Sequence, residues 1–353
     1  MLAARMTMPL AALLLLAADG PPYDWSTADL SFFGTDAAET YKQSRAICAQ
    51  LLGAEPPASD RPTAEEARSL KGCDSEALYF GIGVPADPDK ARKCAFVELS
   101  NSEEGTRYGP FFGRGMLMTI YANGKGAARN LDVATHLACG LEDAPAEMAG
   151  RIEHLQKLKS QAKGEDFSPC NDVTSGWLAG MCAGHDSRLA RIELDERLEL
   201  LAQRGGFANG PDWSKLVKLA EAYAEAHANG EVDMTGTLRG AMWIAARDSS
   251  LDRFVETLER MTAGTIPRRG SADYAKSDAE LNVTYKAVLA NDENFSEASG
   301  ISRESVRAAE RAWLAYRDAM LSFARRRFPG ISIDGLAILL TNDRIAEMTS
   351  EFG

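Results

Sequence analysis

The chain has 353 residues, more than the roughly 100–200 of a typical single domain, so two folding units are expected. With 45% hydrophobic and 25% charged residues and no low-complexity tract, it can bury a sizeable core, which excludes an intrinsically disordered chain. A formal net charge of -12 argues against nucleic-acid binding, which needs basic surface to displace phosphate counterions, and would steer a basic partner instead.

Met1 to Arg5 supply a short positive start, Pro9 to Leu16 an apolar run, and Ala17 and Ala18 small residues before the break at Asp19-Gly20-Pro21-Pro22. This pattern predicts a secretory signal peptide over residues 1–18, because the run is about half the ~20 apolar residues that a bilayer span needs. No other segment is long and apolar enough, so no membrane span is expected after cleavage. The expected location is the periplasm or the exterior of a bacterium. Six cysteines, Cys48, Cys73, Cys94, Cys139, Cys170 and Cys182, fall in the first half of the mature chain. They show no Cys-x-x-Cys or Cys/His metal spacing, so disulfides are expected, in keeping with export. Cys170 and Cys182 bracket a short segment and form the first candidate pair.

A helix is predicted around Glu39 to Leu52. After it, Gly81, Gly83, Asp89 and Ala91 return 43 residues later as Gly124, Gly126, Asp132 and Ala134. Each copy reads as a helix ended near an aromatic residue, glycines giving positive-φ backbone for a tight turn, and an Asp-x-Ala start to a second helix. These helix-turn-helix units resemble the Sel-one-like repeats, relatives of tetratricopeptide repeats, over about residues 73–160. Two departures stand out: the family's Lys-Ala pair, kept at Lys90, becomes Val133-Ala134, and Asn101 to Pro110 forms an insertion between the copies. Two copies are too few to bury a solenoid's faces, so flanking helices, including one around Ala146 to Ser160, are expected to cover them.

Residues 19–163 are therefore read as a helical repeat region, Gly164 to Pro169 as a linker, and 170–353 as a helical domain. Helical patterns follow at about 172–203, 212–229, 235–263, 271–290 and 300–328, with no sustained period-two alternation. The fold class is all-α: helix-turn-helix repeats followed by a helical bundle.

In the last of these helices Val306, Ala309, Trp313, Tyr316, Met320 and Phe323 share one face, which predicts a core stripe with Trp313 inside. The preceding helix places Tyr274, Asp278, Leu281, Tyr285 and Val288 on one seam. A carboxylate there needs a partner, so Asp278 is expected to pair with Arg317, or failing that Arg311, across an antiparallel hairpin turning at Asn291 to Ser299, with Asn282 adding hydrogen bonds. The set Asp278, Leu281, Asn282 and Tyr285, followed by Arg311, Trp313, Tyr316 and Arg317 and then by Leu340-Thr341 and Arg344, resembles the N-terminal-domain family of the lysozyme inhibitor LprI over about 271–349. The resemblance implies a non-catalytic inhibitor that blocks a lysozyme or other muralytic enzyme by surface contact. Family members commonly carry cysteines after the Tyr-Arg-Asp motif and before the Leu-Thr motif; here those regions hold Met320 and Ala337 to Leu339, and apolar packing is expected to replace the crosslink.

Nothing in the pattern calls for an enzyme. His185, Asp186 and Ser187 are adjacent and point in different directions from a helix, and no phosphate-binding or dinucleotide glycine loop is present. No catalytic, cofactor-binding or metal residue is assigned, and no cofactor is expected. Arg303, Arg307 and Arg311 form a ridge that reads either as a docking face or as a solvated helix side paired with Glu304 and Glu310. The rival to inhibition is an envelope scaffold using the repeats for protein–protein contact; a cell-wall hydrolase is a third reading.

Overall fold

The computed structural model describes residues 23–100, 109–160, 164, 166–208 and 210–353. The expected signal peptide, most of the 101–110 insertion and part of the linker lie outside them. Among the described residues there are fourteen α-helices and no strand, so the all-α class holds.

The first eight helices are α1 (Ala37–Thr40), α2 (Lys42–Gln50), α3 (Ala64–Ser69), α4 (Ser75–Phe80), α5 (Pro88–Ser100), α6 (Gly113–Asn123), α7 (Leu131–Cys139) and α8 (Pro145–Ser160). The sequence repeat is also a repeat of hydrogen bonds. Gly81 N–H donates to Ala77 O and Gly124 N–H to Ile120 O, both at 2.9 Å, as α4 and α6 end in left-handed backbone. Gly83 and Gly126 also have positive φ, and the returning chain bonds back identically, Asp87 N–H to Leu78 O and Asn130 N–H to Tyr121 O. Asp87 and Asn130 then accept from Lys90 and Val133 N–H at 3.0 and 3.1 Å, capping α5 and α7. Ala91 and Ala134 are fully buried where the paired helices meet.

Buried carboxylates tie these helices together. Glu98 of α5 accepts from Ser75 N–H at 2.9 Å and Gly113 N–H at 2.8 Å, holding the starts of α4 and α6. Two disulfides crosslink the same half, Cys48–Cys139 joining α2 to α7 and Cys73–Cys94 the approach to α4 with α5, and the third, Cys170–Cys182, is the pair expected from the sequence.

The remaining helices are α9 (Gly176–Arg204), α10 (Pro211–Gly230), α11 (Arg239–Thr262), α12 (Ser271–Ala290), α13 (Arg303–Arg327) and α14 (Ile333–Phe352). One apolar cluster runs from Trp25 through Phe167 to Leu178 and Cys182, and a second from Leu194 to Met348. The 29-residue α9 contributes to both. Near its start His185 faces Glu76 at 2.6 Å and stacks on Phe111; farther on Arg197 forks onto Glu259 of α11. Ser187 instead accepts from Arg247, so His185 and Ser187 serve different partners.

In the second cluster the principal helix pairs are α10 with α13, α9 with α11, α12 with α14, and α10 with α11. The expected antiparallel hairpin of α12 on α13 is therefore corrected: α12 packs mainly on α14. The stripe of α13 is buried as expected, but toward α10, where Tyr316 stacks on Tyr223 at 5.8 Å and Phe323 meets Trp213. Met320 and Ala337, where the resembling family places cysteines, are buried apolar residues of this core.

A side chain at Gly126 would place its Cβ 2.2 Å from Pro88 O, since the second turn packs on the start of α5. Gly126→Ala is expected to cost about 1–2 kcal/mol for the left-handed backbone alone and more for the collision. The check is the midpoint of thermal unfolding, which should fall by several degrees; Gly206, with positive φ and nothing within 4 Å, is the control for the backbone part.

Candidate functional site: a charged cleft between two C-terminal helices

Because the apolar stripe of α13 is turned toward α10, the flank carrying Arg307, Arg311, Leu314 and Arg317 faces α12. Between the two helices lies a cleft of about 260 Å³, lined also by Asp278, Leu281, Asn282, Tyr285 and Glu310. Six of the eight residues singled out in the C-terminal motif thus stand around one opening. The other two do not: Trp313 and Tyr316 are buried in the core behind it.

Asp278 lies 3.7 Å from the Arg317 guanidinium. Its side chain is 41% exposed, so it occupies the rim and not a buried seam as expected. Asn282 Nδ2 donates to Asp278 O at 2.8 Å and to its Oδ2 at 3.3 Å, which orients the carboxylate. Arg317 also bonds Asp318 and lies over the Trp313 ring at 5.1 Å. Arg311 pairs with Glu304 on the exposed side, and Arg303 with Asp292. Arg307 is exposed and has no ion pair among the described residues. Burial raises the Tyr285 phenol, with the Glu310 charge adding to the effect.

The floor of the cleft is Glu310, and behind it stands the strongest charge cluster of the second half. Arg344 of α14 is fully buried. Its two terminal nitrogens fork onto Glu231 at 2.6 and 2.7 Å, just past the end of α10, and its Nε donates to Glu310 at 3.1 Å. Nη1 lies 3.6 Å from Glu347 one turn along α14, and the guanidinium sits over the Tyr223 ring. Glu347 is further held by Arg253 of α11 and by the Tyr223 hydroxyl. Burial pushes the Glu310 carboxyl up, opposed by the Arg344 charge.

Sequence reasoning misses Glu231, Glu310, Arg344 and Glu347 as a unit. The available signal is that Glu310 and Arg344 stand inside the two motifs, Arg344 on the same face of α14 as the buried Leu340, Thr341 and Met348. Among the described residues the one close set of potential metal ligands is Cys73, Cys94 and Glu98, whose cysteines are joined to each other.

Residues 268–351 match the family model described as lysozyme inhibitor LprI, which takes in α12, α13, α14 and the whole lining of the cleft. No match is found among curated proteins or among solved structures.

Replacing Arg344 with methionine would leave three buried carboxylates without their common partner. Arg344→Met is expected to cost about 3–5 kcal/mol by denaturant unfolding. The loss should shrink as the pH is lowered from 8 to 5, because Glu310, its carboxyl already raised by burial, takes up a proton in the folded state once the guanidinium is gone. A loss independent of pH would show that the cluster contributes by packing alone.

Proposed function

Proceeding from a C-terminal segment that matches the LprI lysozyme-inhibitor model, we propose that this chain is an exported bacterial envelope protein that binds a lysozyme or other muralytic enzyme through the α12–α13 cleft and its arginine rim, blocking it by surface contact with no catalytic centre of its own. The observation that carries the reading is the convergence of Asp278, Leu281, Asn282, Tyr285, Arg311 and Arg317 on one solvent-facing opening inside the matched segment.

Charge supports it at two ranges. The net charge of -12 steers approach to a basic enzyme. At the cleft three arginines, Arg307, Arg311 and Arg317, gather on one rim. Glycoside hydrolases of this kind act through a pair of carboxylates flanking the scissile bond, and Arg307, without an ion pair among the described residues, is the group best placed to meet one. The three disulfides support an oxidising compartment, and among the described residues no helix is long and apolar enough to cross a membrane. A second reading, an interaction scaffold built on Sel-one-like repeats, draws support from the duplicated turn bonds of α4–α5 and α6–α7.

Residues 19–353 added in molar excess to a lysozyme in a cell-wall turbidity assay should slow clearing. The Arg307→Ala/Arg311→Ala double variant should weaken inhibition by roughly tenfold, about 1.4 kcal/mol, at unchanged thermal stability. No inhibition across several lysozymes would favour the scaffold; clearing by the protein alone would establish a hydrolase.

A further inference from the structure

We propose that a second cleft, lined by α10, α11 and α14, is a binding site for a primary alkylammonium group, carried by a free amine or by a lysine side chain. The cleft measures about 540 Å³, enough for a short alkyl chain with its headgroup. Val232, Met242 and Ala346 give it an apolar wall, and His227, Glu347 and Glu351 a polar end, which Arg253 also borders, paired with Glu347.

Two independent features of that end call for the same ligand. The first is a shortage of positive charge. Glu231, Glu347 and Glu351 cluster here, against the guanidinium groups of Arg344 and Arg253, and Arg344 is shared with Glu310 at the floor of the other cleft. Glu351 has no ion pair among the described residues; burial, then the charges of Glu231 and Glu347, push its carboxyl up. The second is an acceptor without a donor. His227 is only 2% exposed, its Nδ1 lies 3.1 Å from Ser250 Oγ, and its buried Nε2 has no hydrogen-bond partner. The nearest carboxylate oxygen, of Glu231, is 4.0 Å from Nε2 and outside hydrogen-bond reach. With the ring proton on Nδ1 donating to Ser250 Oγ, which in turn donates to Ala246 O at 3.1 Å, Nε2 is a bare acceptor. Burial holds the imidazole toward its neutral form, so it does not supply the missing cation itself.

A positively charged group with several N–H donors answers both features. A metal ion does not fit, because these carboxylates and His227 are not gathered within ligand distance of one another. An ammonium, with three donors from one atom, needs only single contacts, while its alkyl chain lies along the apolar wall. The proposal stands apart from lysozyme binding; a lysine of a basic partner would join the two.

The test is an NMR titration of the isotope-labelled full chain with n-butylammonium, n-butanol, butyrate and Nα-acetyl-lysine methylamide at constant ionic strength. Butylammonium is expected to give saturable shifts at the His227 imidazole and at the Ala346 and Ser350 amides. Butanol should bind about tenfold more weakly and butyrate not at all, and Glu351→Gln should reduce butylammonium affinity about tenfold without lowering the unfolding midpoint. Binding of the lysine derivative would extend the site to a protein side chain; its exclusion would restrict the site to free amines. Butanol binding as tightly as butylammonium, or unsaturable shifts scattered over exposed acids, would overturn the proposal.

Discussion

One guanidinium organises the second half of the molecule. Arg344 reaches Glu231 at the end of α10, Glu310 on α13 and Glu347 on its own helix, and lies over Tyr223. Charges this deep each lose several kcal/mol of hydration, so the arrangement persists only where nearly every donor finds an acceptor. That demand fixes helix positions as well as energies. The end of α10 must approach the start of α13 closely, and Gly230 permits it: a Cβ there would stand 2.8 Å from Ser305 O, whose own hydroxyl donates to Gly230 O at 2.8 Å.

The same requirement shapes the cleft. Glu310 is drawn inward to Arg344 and becomes a floor, while Arg307, one turn earlier on the same flank, stays outside with no ion pair among the described residues. Aromatic packing then sets the orientation of α13, because Trp313, Tyr316 and Phe323 are buried on the far side of the helix. Rotating α13 enough to pair Asp278 more deeply would pull those rings from the core, at roughly 1.5–3 kcal/mol for each large apolar group exposed. The loose 3.7 Å contact of Asp278 with Arg317 is what the stronger apolar constraint leaves.

How far the sequence reveals this depends on the range of each interaction. The turns at Gly81, Gly83, Gly124 and Gly126 are legible because the constraint is local: a left-handed residue followed by a capped helix start is written within a dozen positions. The face of α13 is legible from spacing. Its neighbour is not, since periodicity tells which side of a helix is covered and not by what; hence α12 on α14 in place of α12 on α13. The charge cluster is the least legible, because Glu231 and Arg344 are 113 residues apart and each resembles an ordinary surface charge in the chain. The reasoning that questions Asp278 on an apolar seam applies with more force to Arg344, flanked on its helix face by Leu340 and Met348, both buried.

The two halves hold their helices together by different means. In the first, short elements such as α4, with six residues, cannot bury much surface alone, and covalent links between Cys48 and Cys139 and between Cys73 and Cys94 hold their neighbours. In the second, helices of 20 to 29 residues bury enough that the one crosslink is that of Cys182 near the start of α9, and Met320 and Ala337 fill the core as apolar side chains. Charge takes over the specifying role there, and it differs from a disulfide in one respect that matters for binding. A covalent link is indifferent to what occupies a nearby cleft, whereas Glu310 and Glu347 each border one, and both answer to Arg344. Any charged group brought to either opening therefore acts on the interaction that positions α10, α13 and α14 together.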